Sequence, residues 1–135
     1  SVERTIAAVD AALAGVGERL TTPTGAYRPS EPQSLLQLPR VVRRVELADP
    51  DDGFVVIYEA PSYGAAIELA DDLAEYLESG FGQTNYVADT QFALSTLEDT
   101  IVFTTWSQRR SDDPERAEAA IDAIASVGTP VEIEK

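Results

Sequence analysis

The same order of hydrophobic patterns occurs twice along this chain, and it limits the fold more than any other feature. RVVRRVEL at 40–47 and FVVIYEA at 54–60 flank the acidic turn ADPDDG, while TNYVADTQFALS at 84–95 and TIVFTTW at 100–106 flank the turn TLED. Two runs rich in β-branched and aromatic residues around a short polar turn are typical of a β-hairpin. Each half of the chain therefore predicts one hairpin.

A helical pattern follows each predicted hairpin. Pro61 and Ser62 precede the first and Gly80 follows it, while the second extends from Pro114 to about Val127 with Gly128 as its stop. These are ordinary start and stop signals for helices. The apolar stripes are Tyr63, Ala66, Ile67, Ala70, Leu73 and Leu77 in the first helix, and Ala117, Ala120, Ile121 and Ile124 in the second.

The predicted fold class is α+β, in a single domain of residues 1–135. It consists of an N-terminal helix and a ββαββα pseudo-repeat, with an antiparallel sheet of four to five strands and both repeat helices on one face. The predicted boundaries are a helix at 1–20, a Pro-rich loop at 21–39, ββα units at 40–80 and 84–128, and an edge strand at 130–134. The long loop is either a structural wrap pinned by SLLQL at 34–38 or a mobile flap.

The second face of the predicted sheet carries more apolar residues than a solvent-facing one should. Strand parity places Val42 and Arg44 there together with Val55, Ile57 and Trp106. Three covers remain open: the N-terminal helix, a second copy in a homodimer, and a ligand or partner protein. The stripe Val2, Ile6, Val9, Leu13, Val16 and Leu20 equips the helix for this role, although Gly15 and Gly17 weaken its end.

Composition excludes several classes of function. The formal charge is −14, from 24 acidic and 10 basic residues, which argues against nucleic acid and anionic lipid as partners. No apolar run approaches the roughly 18 to 20 residues of a membrane span, so we expect residues 1–135 not to insert directly into a membrane. Cys and His are both absent, which removes thiolate nucleophiles and the usual triads. We expect no cofactor and no metal.

Acidic residues supply the remaining chemical candidates. Asp49, Asp51 and Asp52 resemble a calcium loop in their density, but they lack its ligand spacing and sit where a hairpin turn is predicted. Glu46 and Asp89, on strands, are the first carboxylates to consider for catalysis. These observations leave an enzyme uncertain and favour a non-catalytic role.

Arginines form two clusters in this acidic chain. Arg40, Arg43 and Arg44 lie on the first predicted strand, and Arg109 and Arg110 follow the only Trp, Trp106. The speculative ligand-binding residues are Trp106, Arg44, Arg109 and Arg110, which would hold a small anionic ligand if Arg44 and Trp106 shared a face. The alternative is internal pairing with neighbouring acids.

The runs NYVADTQFALSTLEDTIVFTTW and DDPERAEAAIDAIASVG resemble the C-terminal part of small exported bacterial lipoprotein domains of unknown function. The resemblance implies a leader and a lipid-bearing Cys upstream of Ser1, and it implies no activity. The sequence itself favours a non-catalytic binding or protein-interaction domain that binds a protein partner or itself. The alternative is a carboxylate-dependent, hydrolase-like enzyme. The localisation is unknown, and an extracytoplasmic one is favoured over a cytoplasmic one.

Overall fold

A computed structural model describes residues 1–23, 31–46, 53–79, 90–107 and 113–133. Within these ranges the chain forms four helices and six strands. They are α1 (Val2–Ala14), β1 (Leu20–Thr21), α2 (Gln33–Leu36), β2 (Arg40–Val45), β3 (Phe54–Glu59), α3 (Tyr63–Glu78), β4 (Thr90–Leu97), β5 (Thr100–Ser107), α4 (Pro114–Ala125) and β6 (Thr129–Pro130).

The strands form one antiparallel sheet in the order β1-β2-β3-β5-β4-β6. The two predicted hairpins, β2–β3 and β4–β5, meet where β3 pairs with β5 at the centre. The predicted α+β fold with a ββαββα order is confirmed. The sheet is wider than expected because two-residue strands extend both edges: β1 pairs with β2, and β6 pairs with β4.

The two repeat helices lie on opposite faces of the sheet, so their predicted placement on one face is wrong. One core cluster joins α1 and α4 to Val55, Ile57, Val102 and Trp106 of the sheet. The other joins α2 and α3 to Val56, Tyr58, Leu94, Ile101 and Phe103. We call these sides the α1–α4 face and the α2–α3 face.

Chain topology explains this arrangement. The connection from β3 through α3 to β4 passes over β5, and the connection from β5 through α4 to β6 passes over β4. Both move the same way across the sheet, but they start from strands that run in opposite directions. Crossovers of one handedness must then place their helices on opposite faces, and the strong preference for right-handed crossovers supplies that common handedness.

Local signals account for the helix ends. The hydroxyl of Ser62 accepts a hydrogen bond from the backbone N–H of Ala65 at the start of α3. At the start of α4 the Asp113 carboxylate accepts one from the N–H of Arg116, and Pro114 occupies the first turn. Helix α1 ends at Ala14 rather than near Leu20, in keeping with the low helix propensity of the glycines that follow.

The described part of the Pro-rich loop packs on the domain. The short helix α2 buries Leu35 completely in the core of the α2–α3 face. The Tyr58 hydroxyl donates a hydrogen bond to the Glu31 carboxylate, and Arg40 pairs with the same carboxylate at 3.4 Å. These contacts favour the structural wrap over the mobile flap for residues 31–39, while residues 24–30 lie outside the described ranges.

Candidate functional site

Trp106 lies inside the α1–α4 face. It is fully buried, in one cluster with Val9 and Leu13 of α1 and with Ala117 and Ile121 of α4. The N-terminal helix therefore covers this face, as one of the three alternatives expected, and α4 covers it as well. The surface needed for the alternative of a homodimer on this sheet face is occupied by the chain's own helices, and self-association through another surface stays a prediction.

Arg44 and Trp106 do not share a face, contrary to the predicted ligand site. Arg44 pairs with Phe54, and Phe54 pairs with Thr105. Directly paired residues point to the same side of a sheet and successive residues to opposite sides. Arg44 therefore belongs to the α2–α3 face, while Trp106 belongs to the α1–α4 face. Arg109 and Arg110 lie outside the described residues.

The other strand arginines make contacts within the chain. Besides the ion pair of Arg40 with Glu31, the guanidinium of Arg43 donates to the backbone oxygen of Val42 at 3.1 Å. Internal pairing, the alternative to an anion site, thus accounts for part of this cluster.

A cavity of about 330 Å³ lies where the chain leaves α1 and enters α4. The Arg116 Nη2 atom donates to both carboxylate oxygens of Glu18, at 2.6 and 3.0 Å, and Arg19 donates to Glu46 through Nε and through Nη2, the latter at 2.9 Å. The Glu18 side chain is only 5% exposed, so Arg116 compensates a carboxylate that water barely reaches. All four charged residues that line this cavity are therefore paired, and the pairs tie α1, α4 and β2 together.

The surroundings of the Glu46 carboxylate favour its ionised state. The hydrogen bond from Arg19 is the main cause that lowers the pKa of Glu46 below its ordinary value of 4.5, and the same hydrogen bond raises the pKa of Arg19. A general acid that works near neutral pH needs a raised pKa instead. Glu46 therefore does not fit the general-acid role of a carboxylate pair, and Asp89 lies outside the described residues.

The three acids that resemble a calcium loop, Asp49, Asp51 and Asp52, lie outside the described ranges. Within those ranges, no group of three or more acidic side chains is placed to hold a metal ion.

A second cavity, of about 620 Å³, opens between β4, α4 and the segment after β6. Its lining includes Phe92, Ile121, Val131 and Ile133. The ring of Phe92 stacks on Phe103 with centroids 5.8 Å apart, and the N–H of Val131 donates to the backbone oxygen of Leu94 at 2.8 Å. This cavity is a recess of mixed polar and apolar lining at the edge of the sheet, with Asp122 and Glu132 beside the apolar residues, and no charged pair converges on it among the described residues.

The α2–α3 face carries large apolar side chains on its outer side. Leu36 is 59% exposed, Tyr63 is 63% exposed and Ile67 is 56% exposed. Tyr63 and Ile67 are one turn apart on α3, and α2 contacts α3. We call these three residues the α2–α3 surface. In the described part of the chain, one further large apolar residue is exposed: Val16, at 42%.

Sequence reasoning missed the α2–α3 surface because it placed Tyr63 and Ile67 in the buried stripe of their helix. That placement is wrong. The residues of α3 that are buried are Ala66, Ala70, Leu73, Ala74 and Leu77. Ile67 lies on the border of this stripe, whereas Tyr63 is aligned with it but belongs to the first turn. An apolar residue on the border of a stripe, followed at the next turn by an acid such as Asp71, is the signal that could have revealed Ile67.

Acidic side chains continue the α2–α3 surface along α3. Glu68, Asp71, Asp72 and Glu75 are exposed, and α3 contains no basic residue. Among the described residues these four carboxylates have no ion-pair partner. The row Tyr63, Ile67, Asp71 and Glu75 therefore passes at four-residue steps from apolar to acidic.

Comparison with known protein families, with curated proteins and with solved structures gives no match. The resemblance to exported lipoprotein domains consequently stays a prediction. None of the described helices combines the length and the apolar character that a bilayer crossing requires.

Proposed function

We propose that this chain is a non-catalytic protein-interaction domain whose partner docks on the α2–α3 surface. One observation carries the proposal: Leu36, Tyr63 and Ile67 are each more than half exposed on two helices in contact. An exposed group of large apolar side chains rimmed by polar residues is typical of a surface that binds another protein.

The composition of the surface supports this role. Aromatic residues are enriched among those that contribute most to protein binding, and tyrosine loses little conformational entropy when it is immobilised. Tyr63 and Ile67 also stand on a helix of 16 residues that is anchored by Ala66, Ala70 and Leu73 in the core. The surface is therefore held in shape before a partner arrives, which reduces the entropy lost on binding.

The test uses a photocrosslinking amino acid at position 67, with position 16 as the matched control. Val16 is also apolar and exposed, but it follows α1, in the part of the chain that covers the opposite face. We expect a distinct protein to crosslink from position 67 and not from position 16. Equal yields at both positions would mean that exposed apolar side chains capture proteins nonspecifically, and the proposal would fail.

The crosslinked protein is then purified and its dissociation constant measured by calorimetry. Ile67→Ser is expected to weaken binding by about tenfold or more, as at a residue central to an interface, while Val16→Ser changes it little. Unchanged affinity of Ile67→Ser would place the interface elsewhere on the molecule.

A further inference from the structure

We infer that the partner of the α2–α3 surface is a positively charged protein segment with an apolar anchor, rather than a second copy of this chain. The inference rests on the proposed function and names the chemistry of its partner. The apolar pair Tyr63 and Ile67 is exposed in the described part of the chain.

The charged side chains of α3 all have one sign. Glu68, Asp71, Asp72 and Glu75 are exposed on the same helix, without a basic residue in α3 and without an ion pair among the described residues. Some exposed acids are compensated within the chain, as Glu46 is by Arg19. The acids that follow Ile67 on α3 are not compensated within the described residues.

This charge arrangement works against the helix that carries it. Glu68 with Asp72 and Asp71 with Glu75 are like charges one turn apart, a spacing that destabilises helices. Glu75 also lies near the negative end of the helix dipole, and the last turn of α3 has no basic residue. Lys or Arg side chains of a partner would relieve both effects.

A second copy fits this surface poorly. Each chain carries a formal charge of −14, and packing one α3 on another would bring unpaired carboxylates of the two copies together. Like charges opposed across an interface disfavour that partner, whereas complementary charges accelerate association and fix its orientation. The apolar pair therefore fits a basic partner better than its own copy.

The order of apolar and acidic residues along α3 also sets the direction in which a partner segment would lie. The helical rise places Asp71 about 6 Å and Glu75 about 12 Å beyond Ile67 along α3. A segment that sets an apolar side chain against Tyr63 and Ile67 would place Lys or Arg one to two helical turns further along. A basic segment without apolar residues would miss half of the surface.

The experiment measures binding of three labelled peptides by fluorescence anisotropy. One combines Leu and Lys in a helical, amphipathic order; the second replaces its Leu with Ser; the third replaces its Lys with Glu. We expect the Leu–Lys peptide to bind tightest, the Ser–Lys peptide about tenfold more weakly, and the Leu–Glu peptide not measurably. Tight binding of the Leu–Glu peptide, or no binding of the Leu–Lys peptide, would overturn the inferred chemistry.

Matched charge variants separate a local effect from the net charge. Asp71→Asn with Glu75→Gln removes the two acids that continue the row from Ile67, and Glu118→Gln with Asp122→Asn removes two exposed acids of α4 on the opposite face. We expect the α3 pair to weaken binding of the Leu–Lys peptide by about tenfold and the α4 pair by less than about twofold. Equal losses would show attraction by bulk charge only and would overturn the inference.

Sedimentation of the unmodified chain provides the outcome for a second copy. A dimer that Ile67→Ser dissociates would overturn the inference in favour of self-association, and the surface itself would remain an interface. The two proposals therefore fail separately: the crosslinking from position 67 tests whether the surface binds, and the peptides test what it binds.

Discussion

The two faces of the sheet are closed to different degrees. On the α1–α4 face, two helices of 13 and 12 residues enclose Trp106, and the ion pair of Glu18 with Arg116 ties their ends. On the α2–α3 face the long helix α3 packs with the four residues of α2 and with side chains such as Val131 and Ile133, and large apolar side chains remain outside. One face is a completed core, while the other buries its inner residues and still presents an apolar surface. The difference suggests that stability and binding are divided between the two sides.

The strongest test of this division compares a buried with an exposed apolar residue. Trp106→Ala empties the most voluminous fully buried side chain and is expected to lower the free energy of unfolding by about 3–5 kcal/mol. Leu36→Ala should change it by no more than about 0.5 kcal/mol, because Leu36 is mostly exposed. Urea unfolding followed by far-UV circular dichroism measures both.

A milder variant keeps that comparison usable if Trp106→Ala does not fold. Ile124→Val removes one methyl group from the same core and should lower the free energy of unfolding by about 0.5–1.5 kcal/mol. A loss for Leu36→Ala as large as that for Ile124→Val would contradict the division, because Leu36 would then contribute to the core.

Two glycines with positive φ follow the helices that cover the α1–α4 face. Gly128 connects α4 to β6 with φ of 77°, and an added Cβ would lie 2.2 Å from the backbone oxygen of Thr96. Gly17, after α1, has φ of 78° with open space around the same position. Gly128→Ala is expected to lower the free energy of unfolding by about 2–4 kcal/mol, from backbone strain plus steric overlap, and Gly17→Ala by about 1–2 kcal/mol, from strain alone. Thermal and urea unfolding measure both variants. If Gly128→Ala and Gly17→Ala lost the same free energy of unfolding, the backbone of β4 would have to move aside for the methyl group added at position 128.

The smallest expected effect is the pH dependence of the Arg19–Glu46 pair. Because the folded state lowers the pKa of Glu46, the pair stabilises the protein above the ordinary pKa of 4.5, and that contribution is lost as pH falls through the folded value. The unmodified protein should therefore lose slightly more stability than Glu46→Gln between about pH 6 and about pH 3. Arg19→Gln should show the same shallower slope as Glu46→Gln, and a slope like that of the unmodified protein would assign the effect to other groups.

The order and type of the repeat elements were predictable from sequence because each depends on a local pattern. The hairpin of β2 and β3 and the helices α3 and α4 lie within a few residues of their predicted bounds, and Ala117, Ala120, Ile121 and Ile124 are buried as the stripe predicts. Two elements were missed because they are short. β1 has two residues and α2 has four, too few for a periodicity to show.

The relation between strands was not predictable from the same patterns. Alternation within β2 separates Arg43 from Arg44, but which of them shares a side with Trp106 depends on the register of β2 against β3 and of β3 against β5. A shift of one residue reverses every side chain of a strand. The predicted Arg44–Trp106 site depended on that register, and the observed pairing places the two residues on opposite faces.

The α2–α3 surface shows a second limit. Periodicity gives the angle of a residue around its helix axis, but it does not say whether anything lies opposite that point along the axis. Tyr63 is aligned with the buried residues of α3 and is nevertheless 63% exposed in the first turn. Its exposure depends on where the sheet and α2 end, which only the assembled fold determines.

The burial of Trp106 also gives the molecule an optical property. It is the only tryptophan of the chain, and it lies wholly inside the α1–α4 face. Its emission therefore reports the integrity of one side of the sheet, and a protein docked on the other side would leave it nearly unchanged. Trp106 is therefore an intrinsic probe of the face that the partner does not touch. If binding changed the tryptophan emission, the change would reveal a conformational link across the sheet.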